Sequence, residues 1–85
     1  MNASRSTIAA SAFLRAALTS GQTAFVEGLV YKSFFSLVPD ITVDEATDAM
    51  RFLLTRGFLE KDGLAYRLSE RTIDLLRMES EVNAQ

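Results

Sequence analysis

The chain has 85 residues, 48% of them hydrophobic, with nine Lys/Arg against eleven Asp/Glu and neither histidine nor cysteine, which makes residues 1–85 a single compact domain. The missing side chains exclude Ser-His-Asp triads, thiol nucleophiles, disulfides, zinc fingers and ordinary haem ligation, because the groups that titrate or coordinate near neutrality are absent. A domain this small buries only about two-thirds of its unfolded surface, so little stability is spare for a strained catalytic site; the expectation is a non-enzymatic protein without a cofactor.

Between Ser6 and Ser20, Ala10, Phe13, Leu14, Ala17 and Leu18 recur at helical spacing while Ser11 and Arg15 point away, which predicts an amphipathic helix ended by Gly21. Thr23 is then placed to cap a second helix running to about Leu37, stopped by the Val38-Pro39 step. Val26, Val30, Phe34 and Leu37 form one apolar stripe of that helix. Phe25, Leu29, Tyr31 and Phe35 extend it most of the way round and leave Gly28, Lys32 and Ser36 as the polar strip, the pattern of a helix buried on several sides. Thr42-Val43-Asp44-Glu45 reads as a capping box opening a third helix, with Val43, Ala46, Met50, Leu53, Leu54 and Gly57 on one face and Gly57 as its left-handed terminator.

After it, Phe58 to Leu68 reads as two short strands about an Asp62-Gly63 turn. That turn predicts pairs Lys61 with Leu64, Leu59 with Tyr66 and Phe58 with Arg67, and a core side of Leu59, Tyr66 and Leu68. Ser69 caps a last helix to about Val82, with Ile73 and Leu76 on one apolar face and Leu75, Met78 and Val82 on a second. Asn83 to Gln85 are expected to fray. The longest apolar stretch, Ala24 to Val38, is interrupted by Glu27, Lys32 and Ser36 and is shorter than the roughly 20 residues of a membrane span. Arg15 breaks the apolar run that a signal peptide needs. The expectation is a cytoplasmic chain with no membrane contact.

The fold class is thus mainly α with a small β-hairpin, in the order helix-helix-helix-hairpin-helix. Ile41 to Leu76 resembles the winged-helix superfamily: Ala49-Met50-Arg51-Phe52-Leu53-Leu54-Thr55-Arg56-Gly57-Phe58-Leu59-Glu60 looks like the end of a recognition helix running into the first wing strand, and Tyr66-Arg67-Leu68-Ser69 like the return strand and the cap of the next helix. No single family within it matches. The resemblance implies that the third helix and the wing, Lys61, Asp62 and Arg67, form the contact surface, and that DNA is the usual partner.

The charges oppose DNA. Met1 to Gln22 carries Arg5 and Arg15 without an acid, while Asp40 to Met50 carries four acids without a base. The outward face of the third helix reads Asp44, Asp48, Arg51, Phe52 and Thr55, so its N-terminal half would set carboxylates against phosphates. Acids in a first helical turn also favour the helix dipole whatever the function, which accounts for Asp44 and Glu45 but not for Asp48. Phe52, on the side opposite Met50 and Leu53, either folds under a neighbouring element or anchors a protein partner.

Asp44 and Asp48 lie one turn apart but bind magnesium poorly without a substrate phosphate, and Lys32 with Ser36 lacks the buried lysine that a Ser-Lys dyad needs. No glycine-rich phosphate loop is present. Two functions follow as expectations. The first is a protein-interaction module, an adaptor or inhibitor of a larger machine that handles nucleic acid, of phage-like size. The second is a small dimeric DNA-binding transcription regulator. Surplus apolar surface at Tyr31, Phe35, Leu75, Met78 and Val82 points to a homodimer.

Overall fold

The computed structural model describes residues 4–83; the side chains at 76 and 79–83 are outside the described set. Four helices and three short strands follow in the order α1 (Arg5–Ser20), β1 (Ala24–Val26), α2 (Glu27–Leu37), α3 (Val43–Thr55), β2 (Leu59–Asp62), β3 (Ala65–Leu68) and α4 (Glu70–Asn83). The molecule is mainly helical with a small antiparallel sheet of order β1-β3-β2. The expectations for Leu76 and Val82 fall on side chains outside the described residues, and so do residues 84 and 85 of the segment expected to fray.

Helix α1 is the centre of the packing. Ser4 caps it by accepting from the Thr7 amide at 3.2 Å, and the Gly21 amide closes it on the Ala17 carbonyl at 2.9 Å. Its buried face, Ala9, Ala10, Phe13, Leu14 and Ala17, packs against α2, α3 and α4. Against α3 the contact is through small residues: Ala9, Ala10, Ala46 and Ala49 are fully buried, and the Ser6 hydroxyl donates to the Glu45 carbonyl at 3.0 Å. A serine oxygen stands one carbon from its backbone, so this bond requires the two helix starts to lie close together.

The sequence pattern places Phe25 and Val26 inside the second helix, but the structure puts them in β1. Ala24, Phe25 and Val26 pair with Arg67, Tyr66 and Ala65, and the Thr23 carbonyl accepts from the Leu68 amide at 2.9 Å. Helix α2 consequently starts at Glu27 with Val26 at its N-cap position and no side-chain cap, and Thr23 serves the sheet instead. Pairing satisfies backbone groups that an open edge of β3 would leave exposed. It depends on a partner some forty residues away, which local periodicity does not encode. Phe25 is thereby carried into the core, where the Phe13 ring meets it edge-on at 4.9 Å and meets Phe34 at 5.7 Å. One phenyl ring thus joins α1, β1 and α2.

Only Val30 and Phe34 of α2 are buried. Val26, Leu29, Phe35 and Leu37 remain exposed and Tyr31 is half-buried, so the helix is covered on one side rather than several. It ends as expected before Pro39, with Val38 out of helical geometry and its amide on the Phe34 carbonyl at 2.9 Å.

The capping box of α3 forms in full: the Thr42 hydroxyl accepts from the Glu45 amide at 3.1 Å, and the Thr42 amide donates to the Glu45 carboxylate at 2.9 Å. The buried arc is Ala46, Ala49, Met50 and Leu53. Val43 and Leu54, expected on that arc, stand at its solvent edge, because the arc is centred on the Ala49 side of Met50 and they lie on the other. At the C-terminus Gly57 takes φ 76, its amide donates to the Leu54 carbonyl at 3.2 Å and the Phe58 amide to the Leu53 carbonyl at 2.9 Å. These two bonds are those of a Schellman motif, and they turn the chain directly into β2.

The hairpin forms, with a different register. Leu59 pairs with Leu68, Glu60 with Arg67, Lys61 with Tyr66 and Asp62 with Ala65, so the two-residue turn is Gly63-Leu64 rather than Asp62-Gly63. A left-handed residue at the first turn position alone is the requirement of a type II′ turn, and Gly63 supplies it with φ 65. Asp62 remains in the strand. Because each partner moves by two residues, inside and outside are preserved, and Leu59, Tyr66 and Leu68 are buried as expected. Ser69 caps α4: its hydroxyl accepts from the Thr72 amide at 3.2 Å and contacts the Thr72 hydroxyl at 2.7 Å, both side chains buried. Among the described residues no buried side-chain nitrogen or oxygen lacks a partner.

Candidate functional site

The exposed side of α3 carries Asp44, Asp48, Arg51 and Thr55. Asp48 and Arg51 face each other one turn apart at 3.7 Å. At the start of the helix Arg5 of α1 reaches Asp40 at 3.7 Å and Glu45 at 3.9 Å. The hydrogen bond from the Thr42 amide, with the Thr42 hydroxyl and Arg5 beside it, holds the Glu45 carboxyl below the ordinary carboxylate range against the opposing effect of burial. Asp40, Asp44, Glu45 and Asp48 thus meet two guanidiniums, both engaged with carboxylates, and this end of the surface stays negative.

Phe52 does not project fully into solvent. Its ring is half-buried against the core, stacks on Phe58 with centroids 6.0 Å apart and planes at 29°, and lies 5.3 Å beneath the Arg56 guanidinium. Phe52 and Phe58 occupy the two positions whose apolar contact accompanies a Schellman motif, one on the last full turn and one just beyond the left-handed glycine. The ring therefore secures the exit from α3 into β2. The sequence signal was Gly57-Phe58 following Phe52 at the spacing of that motif.

On the hairpin, strand alternation sets Glu60, Asp62 and Arg67 on the outer side of the sheet. Arg67 lies opposite Glu60 and pairs with Asp62 at 3.7 Å. Lys61 shares the core-side row of β2 with Leu59 but stands at the rim, opposite Tyr66, and is exposed. Of the two bases on the hairpin, then, Arg67 faces a carboxylate and Lys61 is not among the described ion pairs. At the tip Leu64, which the sequence reading paired within the ladder, is 94% exposed, and Val26 is exposed beside Ala65 on the neighbouring strand. The Tyr66 hydroxyl donates to Glu27 at 3.2 Å, and burial, together with the Glu27 charge, pushes its ionisation above the ordinary tyrosine range.

Of the apolar positions expected to pair two copies, Phe35 is exposed on α2, Leu75 and Met78 are exposed on α4, and Tyr31 is half-buried edge-on to Phe34 at 6.0 Å. Leu29 and Leu37 add to the exposed surface of α2 and line a groove of about 250 Å³ with Ala16, Lys32, Ser33 and Ser36. Lys32 and Ser36 are both exposed there, and the Ser33 hydroxyl donates to the Leu29 carbonyl at 2.9 Å.

A second concavity of about 270 Å³ lies between the end of α3 and the start of α4, lined by Arg56, Gly57, Phe58, Arg71, Thr72 and Leu75. Neither arginine was singled out from the sequence, since they are fifteen positions apart and only the hairpin brings them together. Among the described residues no group of three His, Cys, Asp or Glu side chains converges, and no helix is long and apolar enough to cross a membrane. Comparison with protein-family models, with curated proteins and with solved structures gave no match.

Proposed function

We propose that the chain is a winged-helix binding module that works through protein–protein contacts, as an adaptor or inhibitor docking on a larger machine. Three helices, a hairpin that follows the third after the short turn Arg56-Gly57-Phe58, and a closing helix support the winged-helix reading, with α3 in the place of the recognition helix and β2–β3 as the wing. The observation that carries the protein-binding reading is the engagement of the bases on that surface. Arg51 is held by Asp48 and Arg67 by Asp62, while Asp44 stands exposed ahead of them.

Phosphate contacts from Lys and Arg supply most non-specific DNA affinity. Each carboxylate brought within about 4 Å of a phosphate is repelled by about 1 kcal/mol in water and more where water is excluded. The same surface suits a basic face of a protein, which would exchange partners with Asp44 and Asp48. The alternative, a small dimeric DNA-binding regulator, draws on the order of the elements and on Lys61 at the wing. A pull-down from the native host with the parent and with Asp44→Lys/Asp48→Lys tests the reading: a partner retained by the parent and lost by the reversed pair is expected. A partner set unchanged by the reversal contradicts it.

A further inference from the structure

We infer that the cleft between the end of α3 and the start of α4 receives an acidic side chain with an apolar one beside it, presented by a segment of a partner protein. The inference rests on the protein-binding reading and adds a second contact, remote from the acidic face of α3. Arg56 and Arg71 flank the cleft, and neither has a carboxylate within 4 Å among the described ion pairs, whereas Arg5 has two and Arg51 and Arg67 one each. In a chain with more acids than bases, two guanidiniums at one concavity with no carboxylate partner among the described ion pairs leave a local positive charge there.

Glu70 adjoins Arg71 along the chain and Asp74 lies one turn further along α4 on the same face, and neither forms a described ion pair with it. Asp48, the acid of α3 nearest to Arg56, lies eight residues before it, about 12 Å along the helix axis, beyond one screening length of about 8 Å at physiological salt, and it already faces Arg51 at 3.7 Å. The acidic end of α3 therefore weakens this site little. Arg56 is also held in place, its guanidinium 5.3 Å from the Phe52 ring, so less freedom is lost when it takes up a carboxylate.

The remaining wall is apolar. Phe58 is half-buried and Leu75 is 50% exposed at the cleft, and together they offer surface to an aliphatic side chain next to the acid. A planar carboxylate matches the fork of an arginine in two parallel bonds. A duplex backbone makes a poor occupant, because it has no apolar group for Leu75.

The test is an amide-shift titration of the ¹⁵N-labelled protein at physiological salt with the blocked peptide acetyl-Leu-Glu-Leu-amide. The controls are its Leu-Gln-Leu counterpart, inorganic phosphate and a short DNA duplex. Saturable shifts at Gly57 and Thr72 are expected with the glutamyl peptide, at least about fivefold weaker binding with the glutaminyl one, and loss of the shifts in Arg56→Gln/Arg71→Gln. Both arginines are exposed, so that variant, or Arg71→Gln alone, remains folded. Asp44→Lys/Asp48→Lys should keep the peptide shifts even as it loses the α3 contact, which separates failure of this site from failure of the interaction reading. Equal binding of the two peptides, the same shifts produced more tightly by phosphate or duplex, or shifts that survive removal of both arginines would overturn the assignment.

Discussion

Phe52→Ala separates a ring used to hold the fold from a ring kept for a partner. Its side chain is half-buried, so its removal forfeits about half of the 1.5–3 kcal/mol that full burial of a phenylalanine contributes, roughly 1 kcal/mol. The stacked contact with Phe58 at 6.0 Å adds about 0.5–1.5 kcal/mol. The exposed Arg56 guanidinium over the ring adds about 0.5 kcal/mol. The total, about 2–3 kcal/mol, lowers the melting temperature of a domain this size by roughly 10–20 °C. Phe52→Leu keeps the apolar contact and should lose about 1 kcal/mol. Thermal melts followed by circular dichroism measure both, and a cycle with Phe58→Ala should show a coupling of about 0.5–1.5 kcal/mol. A Phe52→Ala protein melting within about 2 °C of the parent, or strict additivity with Phe58→Ala, would refute the assignment of this ring to the helix exit.

Leu53 is fully buried beside Met50, and Leu53→Ala should cost about 2–5 kcal/mol by denaturant unfolding, enough to populate the unfolded chain in a marginal domain; unchanged unfolding would place the core face of α3 elsewhere. Stability should also bend at both ends of the pH range. The folded Glu45 carboxyl is depressed, so its contribution is present above the unfolded value of about 4.3 and lost as pH falls through the folded one. The folded Tyr66 hydroxyl is raised, so its contribution is present below about pH 10 and lost on further rise; Glu45→Gln should flatten the acid limb and Tyr66→Phe the alkaline one in pH-dependent melts. Finally, if the exposed apolar positions pair two copies, sedimentation at micromolar concentration should show a dimer of the 9.4 kDa chain that Leu75→Glu/Met78→Glu dissociates; a monomer unaffected by those changes would leave that surface without a partner.

The parts of the fold legible in the sequence are those written in local chemistry. Thr42 and Glu45 specify the start of α3 within four residues, Gly57 its end, Pro39 the end of α2, and Ser69 the start of α4; each of these four boundaries stands where its capping or breaking residue puts it. The strand β1 was illegible for the opposite reason: Phe25 and Val26 continue a helical stripe, and only the distant edge of β3 recruits them to the sheet. The hairpin register turned on one position. Asp62-Gly63 is a familiar pair for a turn that needs two left-handed residues, but Gly63 alone supplies the conformation here, and Asp62 stays in the ladder opposite Ala65 and pairs its carboxylate with Arg67.

At the candidate site the exposed acids of α3 were readable from helical spacing. The pairing of Arg51 with Asp48 and of Arg67 with Asp62 was not, because an ion pair depends on side-chain placement. Arg56 and Arg71 escaped notice because they share a cleft only once the hairpin has folded.

The claim that this surface engages protein rather than nucleic acid is tested most directly by a salt-dependent titration of the isolated protein with duplex DNA. The account predicts binding weaker than the ~10⁻⁴–10⁻⁶ M usual for non-specific binders at physiological salt, and a shallow salt slope. Submicromolar binding that falls steeply with salt and is lost on Arg51→Ala or Lys61→Ala would contradict it.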